Sequence, residues 1–118
     1  MATTPQSRKA RGRKFQQEIR DMMLEIFPEL EPDDIRSTSM GASGEDLLFS
    51  PAARRLLPIA PEMKNQEKLN IWEAIKQTEE NAGDNEPVLF FRRNRTKPYV
   101  VIDAEYLLKL FRKLSDAG

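Results

Sequence analysis

Apolar positions recur along this chain at two spacings, and the alternation between them sketches a fold before any motif is considered. Phe15, Ile19, Met22 and Ile26 return every three to four positions, which predicts one face of a helix starting near Arg13 and ended by Pro28. A polar connection follows. Ile35 to Met40 carries β-tolerant residues and runs into the turn Gly41-Ala42-Ser43-Gly44. Leu47-Leu48-Phe49 suits a short buried strand, stopped at Ser50-Pro51, with Ala52 to Arg55 as a connecting loop. Leu56 to Lys64 is again mostly apolar, but Pro58 and Pro61 lie in it, and proline confines a strand to an edge, an end or a bulge. Asn70 and Glu73 have the spacing of a capping box, opening a helix that runs to about Ala82 before Gly83. Pro87–Phe91 and Tyr99–Ile102 are β-prone runs joined by a basic turn. Asp103 then caps a last helix with Leu107, Leu108, Phe111 and Leu114 as its apolar stripe.

The predicted order is helix, three strands, helix, two strands, helix. It points to a single α/β domain with a mixed central sheet of about five strands flanked by helices. Residues 1–12 are polar, basic and without periodicity, and are expected to form a flexible arm ahead of a domain covering 13–118.

Composition narrows the chemistry. The 118 residues contain no cysteine and no histidine. Thiolate nucleophiles, cysteine-based zinc sites, histidine triads and imidazole ligands are therefore excluded. Neither a GxxxxGK[ST] nor a GxGxxG loop occurs. No apolar run approaches the roughly 20 residues of a membrane span, and no secretory signal is present, so a cytoplasmic protein is expected. An enzyme of this composition has carboxylates, lysine, hydroxyls and a hard metal ion to work with.

Formal net charge is zero, but its distribution is uneven. The first 20 residues set Arg8, Lys9, Arg11, Arg13, Lys14 and Arg20 against one acid, Glu18. A second basic run is Arg92, Arg93, Arg95 and Lys97, and positions 67–86 between them are acid-rich. Local runs of this kind can bind phosphates by counterion release, or be solvated surface.

The most informative spacing is Glu62-Met63-Lys64. On a strand, Glu62 and Lys64 share a face while Met63 takes the other. A carboxylate able to hold Mg²⁺ beside an ammonium able to steady a developing phosphorane charge suits phosphodiester hydrolysis. Taken alone, the pair is better explained by a surface ion pair worth at most about 1 kcal/mol. Asp46 adds weight, as an acid at the mouth of an apolar strand where it caps, turns or binds something. If its strand pairs with that of Glu62, the two carboxylates and the Met63 carbonyl make an oxygen-rich metal site.

The stretch Gly44-Glu45-Asp46, then Pro61-Glu62-Met63-Lys64, then a helix and Pro87-Val88-Leu89-Phe90-Phe91 resembles the PD-(D/E)xK nuclease superfamily. It is most similar to small archaeal-type Holliday-junction resolvases and their phage relatives, over roughly residues 13–102. The resemblance implies a restriction-endonuclease-like sheet, Mg²⁺- or Mn²⁺-dependent hydrolysis of DNA, a four-way junction as substrate and a homodimer. It implies Asp46 and Glu62 as metal ligands, with Met63 contributing its carbonyl, and Lys64 as the catalytic lysine. Glu18 matches a glutamate that resolvase-like members use on the first helix. Gln77 is the candidate for a glutamine on the following helix, although the helical wheel turns it away from Trp72 and Ile75. Ser37, Ser39 and Ser43 either hold phosphate or satisfy turn backbone. Arg11, Arg13, Lys14, Arg92, Arg93, Arg95 and Lys97 are the expected DNA contacts, positioning the backbone without reading sequence. Two alternatives remain open: a nicking, repair or restriction-like nuclease of the same superfamily, and a non-catalytic nucleic-acid-binding accessory protein.

Overall fold

The computed structural model describes residues 5–37 and 46–118. Helix α1 spans Pro5–Ile26, with the proline in its first turn where a missing N–H costs nothing. Positions 5–12, expected as a flexible arm, therefore continue the first helix. The buried stripe of α1 is Phe15, Ile19 and Met23, while the predicted Met22 and Ile26 are exposed. A steady four-residue step keeps drifting around a helix of 3.6 residues per turn, so the stripe carries Gln16 into the buried arc as well.

A single helical turn at Pro32–Asp34 leads into β1 (Ile35–Ser37), which pairs antiparallel with β2 (Leu47–Phe49). Arg20 of α1 ties this hairpin to the helix, donating from Nε to the Ile35 carbonyl (2.6 Å) and from Nη2 to that of Pro32 (2.7 Å). Residues Pro51–Leu56 form a short helix α2 rather than the expected loop, because the Ser50 side chain caps it by accepting from Ala53 N–H (3.1 Å). Strand β3 (Ile59–Asn65) is parallel to β4 (Glu86–Arg92), with α3 (Ile71–Glu80) as the connection. Asn70 caps α3 by accepting from Glu73 N–H (3.2 Å), as its spacing predicts. Strand β5 (Tyr99–Ile102) is antiparallel to β4, and Asp103 caps the terminal helix α4 (Ala104–Ala117).

The chain is thus one α/β domain, but its strands form two sheets, β1-β2 and β3-β4-β5, not a single sheet of five. The break lies along the outer edge of β3. Gln66 donates its N–H to the Arg92 carbonyl (3.2 Å), so the even positions of β3 turn their backbone groups towards β4. The odd positions Ile59, Pro61 and Met63 therefore turn theirs to the open edge. Pro61 has no N–H to offer there, and side chains meet two of the other groups: Arg54 donates to the Ile59 carbonyl and Asp46 accepts from Met63 N–H. The register from Ile59 to Asn65 is unbroken, so the proline sits in an edge strand without a bulge.

Phe15, Ile19, Met23, Ile35, Leu47 and Met63 form the core between α1 and the two sheets. Among the described residues no helix is long and apolar enough to cross a membrane.

Candidate active site at the open edge of β3

Strand alternation sends the Met63 side chain into the core and leaves Glu62 and Lys64 on the opposite face. At the open edge the Asp46 carboxylate, at the entry to β2, accepts a hydrogen bond from Met63 N–H at 2.7 Å. This contact is what brings Asp46 to Glu62. The Met63 carbonyl leaves the backbone on the same side as its N–H, so it too faces this edge. Both carboxylates and Lys64 line a cleft of about 630 Å³, walled on the α1 side by Lys9, Arg11 and Gln16.

Glu62 is 7% exposed, and its Oε1 accepts from Asn81 Nδ2 at 2.9 Å. Burial is the main reason its carboxyl is pushed up to about 7, because a charge there loses water. Hydrogen bonding with Asp46 and that residue's charge push in the same direction, while Asn81 and Lys64 oppose them. The carboxyl pair therefore favours a retained proton at the edge of neutrality, a state that an added cation would displace.

Three residues that line the cleft also carry a buried polar atom with no hydrogen-bond partner among the described residues: Gln16 Oε1, Asn65 Oδ1 and Arg11 Nε. Leaving such groups unmet costs about 1–3 kcal/mol each. The acceptors grouped at this edge are oxygens: the Asp46 and Glu62 carboxylates and the Met63 carbonyl, with the Glu67 carboxylate at the cleft lip. No third acid joins Asp46 and Glu62 among the described residues. That set fits Mg²⁺ or Mn²⁺, which take one or two carboxylates and complete their shell with water and phosphate oxygens.

Other expected site residues lie elsewhere. Glu18 pairs with Arg92, whose guanidinium also stacks over the Phe15 ring at 4.8 Å, and neither lines the cleft. Gln77 is exposed on α3, and it is Asn81, one turn later, that reaches Glu62. Ser37 is exposed at the end of β1, and Ser39 and Ser43 lie outside the described residues. Arg13 and Lys14 are exposed on α1 and not part of the cleft lining, whereas Arg11 is.

The second basic run flanks the site. Glu67 at the cleft lip accepts from Asn94 N–H (3.1 Å), which holds the turn bearing Arg93 and Arg95 beside it. Arg93 lines a neighbouring depression with Gln66, Glu67 and Lys68, and Lys97 lies over the Tyr99 ring at 5.5 Å. Arg95 holds a left-handed backbone, φ 65°, unusual for a residue with a side chain.

Sequence reasoning missed Gln16 and Asn81. Gln16 was legible had the α1 stripe been drawn through Met23, since it then falls inside the buried arc. Asn81 reads as an ordinary C-terminal helix residue, and only the packing of α3 under β3 brings it to Glu62. No protein-family model matches the chain, and comparison with curated proteins and with solved structures likewise finds no match.

Proposed function

We propose that this protein is a divalent-metal-dependent endonuclease that hydrolyses DNA phosphodiesters, with a four-way junction as its preferred substrate. The resemblance to PD-(D/E)xK nucleases, and the restriction-endonuclease-like fold it implies, belong to the same proposal. The observation that carries it is the carboxyl pair Asp46–Glu62 beside Lys64, at a strand edge inside a cleft with basic walls.

In this reading Asp46, Glu62 and the Met63 carbonyl hold Mg²⁺ or Mn²⁺. Such an ion supplies a water of lowered pKa and polarises the scissile phosphate. With such an ion bound Glu62 would stand as the carboxylate, and Asn81, which donates to its Oε1, would keep it aimed. The Lys64 ammonium stands on the face of Glu62 and offsets negative charge that develops on the phosphate oxygens. Lys9 and Arg11 on one wall, with Arg93 and Arg95 on the neighbouring turn, grip flanking phosphates without reading bases.

The test is cleavage of a synthetic four-way junction and of linear duplex of matching sequence, with Mg²⁺, Mn²⁺ or EDTA. Paired cuts in the junction alone support the proposal. Equal cutting of linear DNA assigns the same site to a different nuclease. Folded protein that binds DNA and cuts neither substrate makes the acids structural and leaves a nucleic-acid-binding protein.

A further inference from the structure

Two apolar surfaces outside the cleft are largely uncovered, and their charges are complementary. The first is α4. Taking about 100° per residue, Leu107, Leu108, Leu110, Phe111 and Leu114 fill an arc of about 160°. Arg112 stands about 40° beyond one border of that arc and Lys113 about 60° beyond the other; Arg112 makes only an exposed i,i+4 pair with Asp116 (3.5 Å). The helix has no buried residue; Leu107 and Leu110 are half-buried, while Leu108, Phe111 and Leu114 are 65%, 55% and 68% exposed. At 14 residues it is no longer than helices that are marginal in isolation, so its order calls for a surface to lie on.

The second surface is a groove of about 570 Å³ between α3 and β5, lined by Trp72, Ile75, Leu89 and Val101 among others. Trp72 is 80% exposed. The rim carries Glu79, Glu86 and Asp103, and no cation pairs with them among the described residues. The Glu86 carboxyl is raised, first by burial and then by the charges of Asp103 and Glu79, as expected of an acidic rim without a counter-charge. The chain's own α4 begins at this rim, where Ala104 lines the groove, but its later residues do not enter it.

We propose that the α4 helix of a second copy of this chain lies in the α3/β5 groove, and that the exchange is reciprocal, giving a two-fold dimer. The apolar arc meets the apolar lining of the groove, and Arg112 and Lys113, one beyond each border, meet the acidic rim. A reciprocal exchange buries both surfaces twice and closes without leaving a free copy of either. A homodimer is also what the family resemblance implies, but the helix–groove contact is argued from α4 and the groove alone and does not use Asp46, Glu62 or Lys64.

The chain holds one tryptophan, so Trp72 emission reports directly on the groove. Sedimentation of the full chain should give twice 13.6 kDa. On dilution, dissociation and a red shift of Trp72 emission should share one midpoint. Leu108→Asp with Phe111→Asp, and separately Trp72→Glu, should each weaken the dimer at least tenfold while circular dichroism stays unchanged. Mixing these two variants, each monomeric alone, should restore association through one intact helix–groove contact. The surviving Trp72 should then shift to the blue. A wild-type monomer overturns the proposal, whether α4 folds back on its own chain or serves another protein. A Trp72→Glu chain that still dimerises overturns it in favour of helix-on-helix pairing. Should either variant misfold, the wild-type dilution decides, since dissociation without a change in Trp72 emission excludes the groove.

Discussion

Replacing Glu62 by glutamine separates a carboxyl retained for chemistry from one retained for stability. In the folded protein this carboxyl titrates at about 7 against an ordinary 4.5, chiefly through burial and then through hydrogen bonding with Asp46. Between those values the folded state keeps a proton that the unfolded chain has released. Stability therefore falls as pH rises through this window, and the loss is complete above about 7. The gap, at about 1.36 kcal/mol for each pH unit, amounts to about 3 kcal/mol. Glutamine keeps the size of the side chain and an oxygen for Asn81, offers an N–H towards Asp46, and brings no charge to desolvate. Urea unfolding without divalent ions should find the two proteins within about 1 kcal/mol of each other near pH 4.5. Near pH 8 the Glu62→Gln variant should be the more stable by about 3 kcal/mol. Added Mg²⁺ should then stabilise only the wild type, by about 2.7 kcal/mol at a concentration one hundred times Kd, while the variant cuts no DNA. A stability difference that is the same at both pH values, or a variant weaker than wild type near pH 8, would refute the account of Glu62.

Three further outcomes follow from named contacts. Asn81→Ala removes the donor that favours charged Glu62, so the acid limb of the cleavage profile should move to higher pH; an unmoved limb would take Asn81 out of the site. Glu18→Gln should lower stability by about 1 kcal/mol through its half-exposed pair with Arg92 and leave the cleavage rate within about twofold. A loss beyond about tenfold, measured in single turnover, would instead return Glu18 to the catalytic set that the family resemblance implies. Arg95→Gly relieves the left-handed backbone and should raise stability by about 1 kcal/mol. The same substitution should weaken binding to every DNA sequence and reduce its salt slope by about one, and an unchanged slope would remove this turn from the DNA surface.

What the amino-acid order determined on its own was local. The caps at Asn70 and Asp103, the β-prone runs of β4 and β5 and the shared face of Glu62 and Lys64 all depend on residues within a few positions of one another. Backbone geometry makes such relations periodic, and so they are legible. The first helix was legible in kind but not in phase, because only the burial of Met23 in the common core chose between two adjacent stripes. Tertiary structure decided the rest. It split the expected sheet at Pro61, where a missing N–H and the Asp46 and Arg54 side chains occupy the edge another strand would need. That same edge carries the Asp46–Met63 contact across 17 positions, and Asn81 reaches Glu62 across 19. Contacts of that range obey no spacing rule, since they arise from which faces must be buried together, and they are what turns two separated acids into one site.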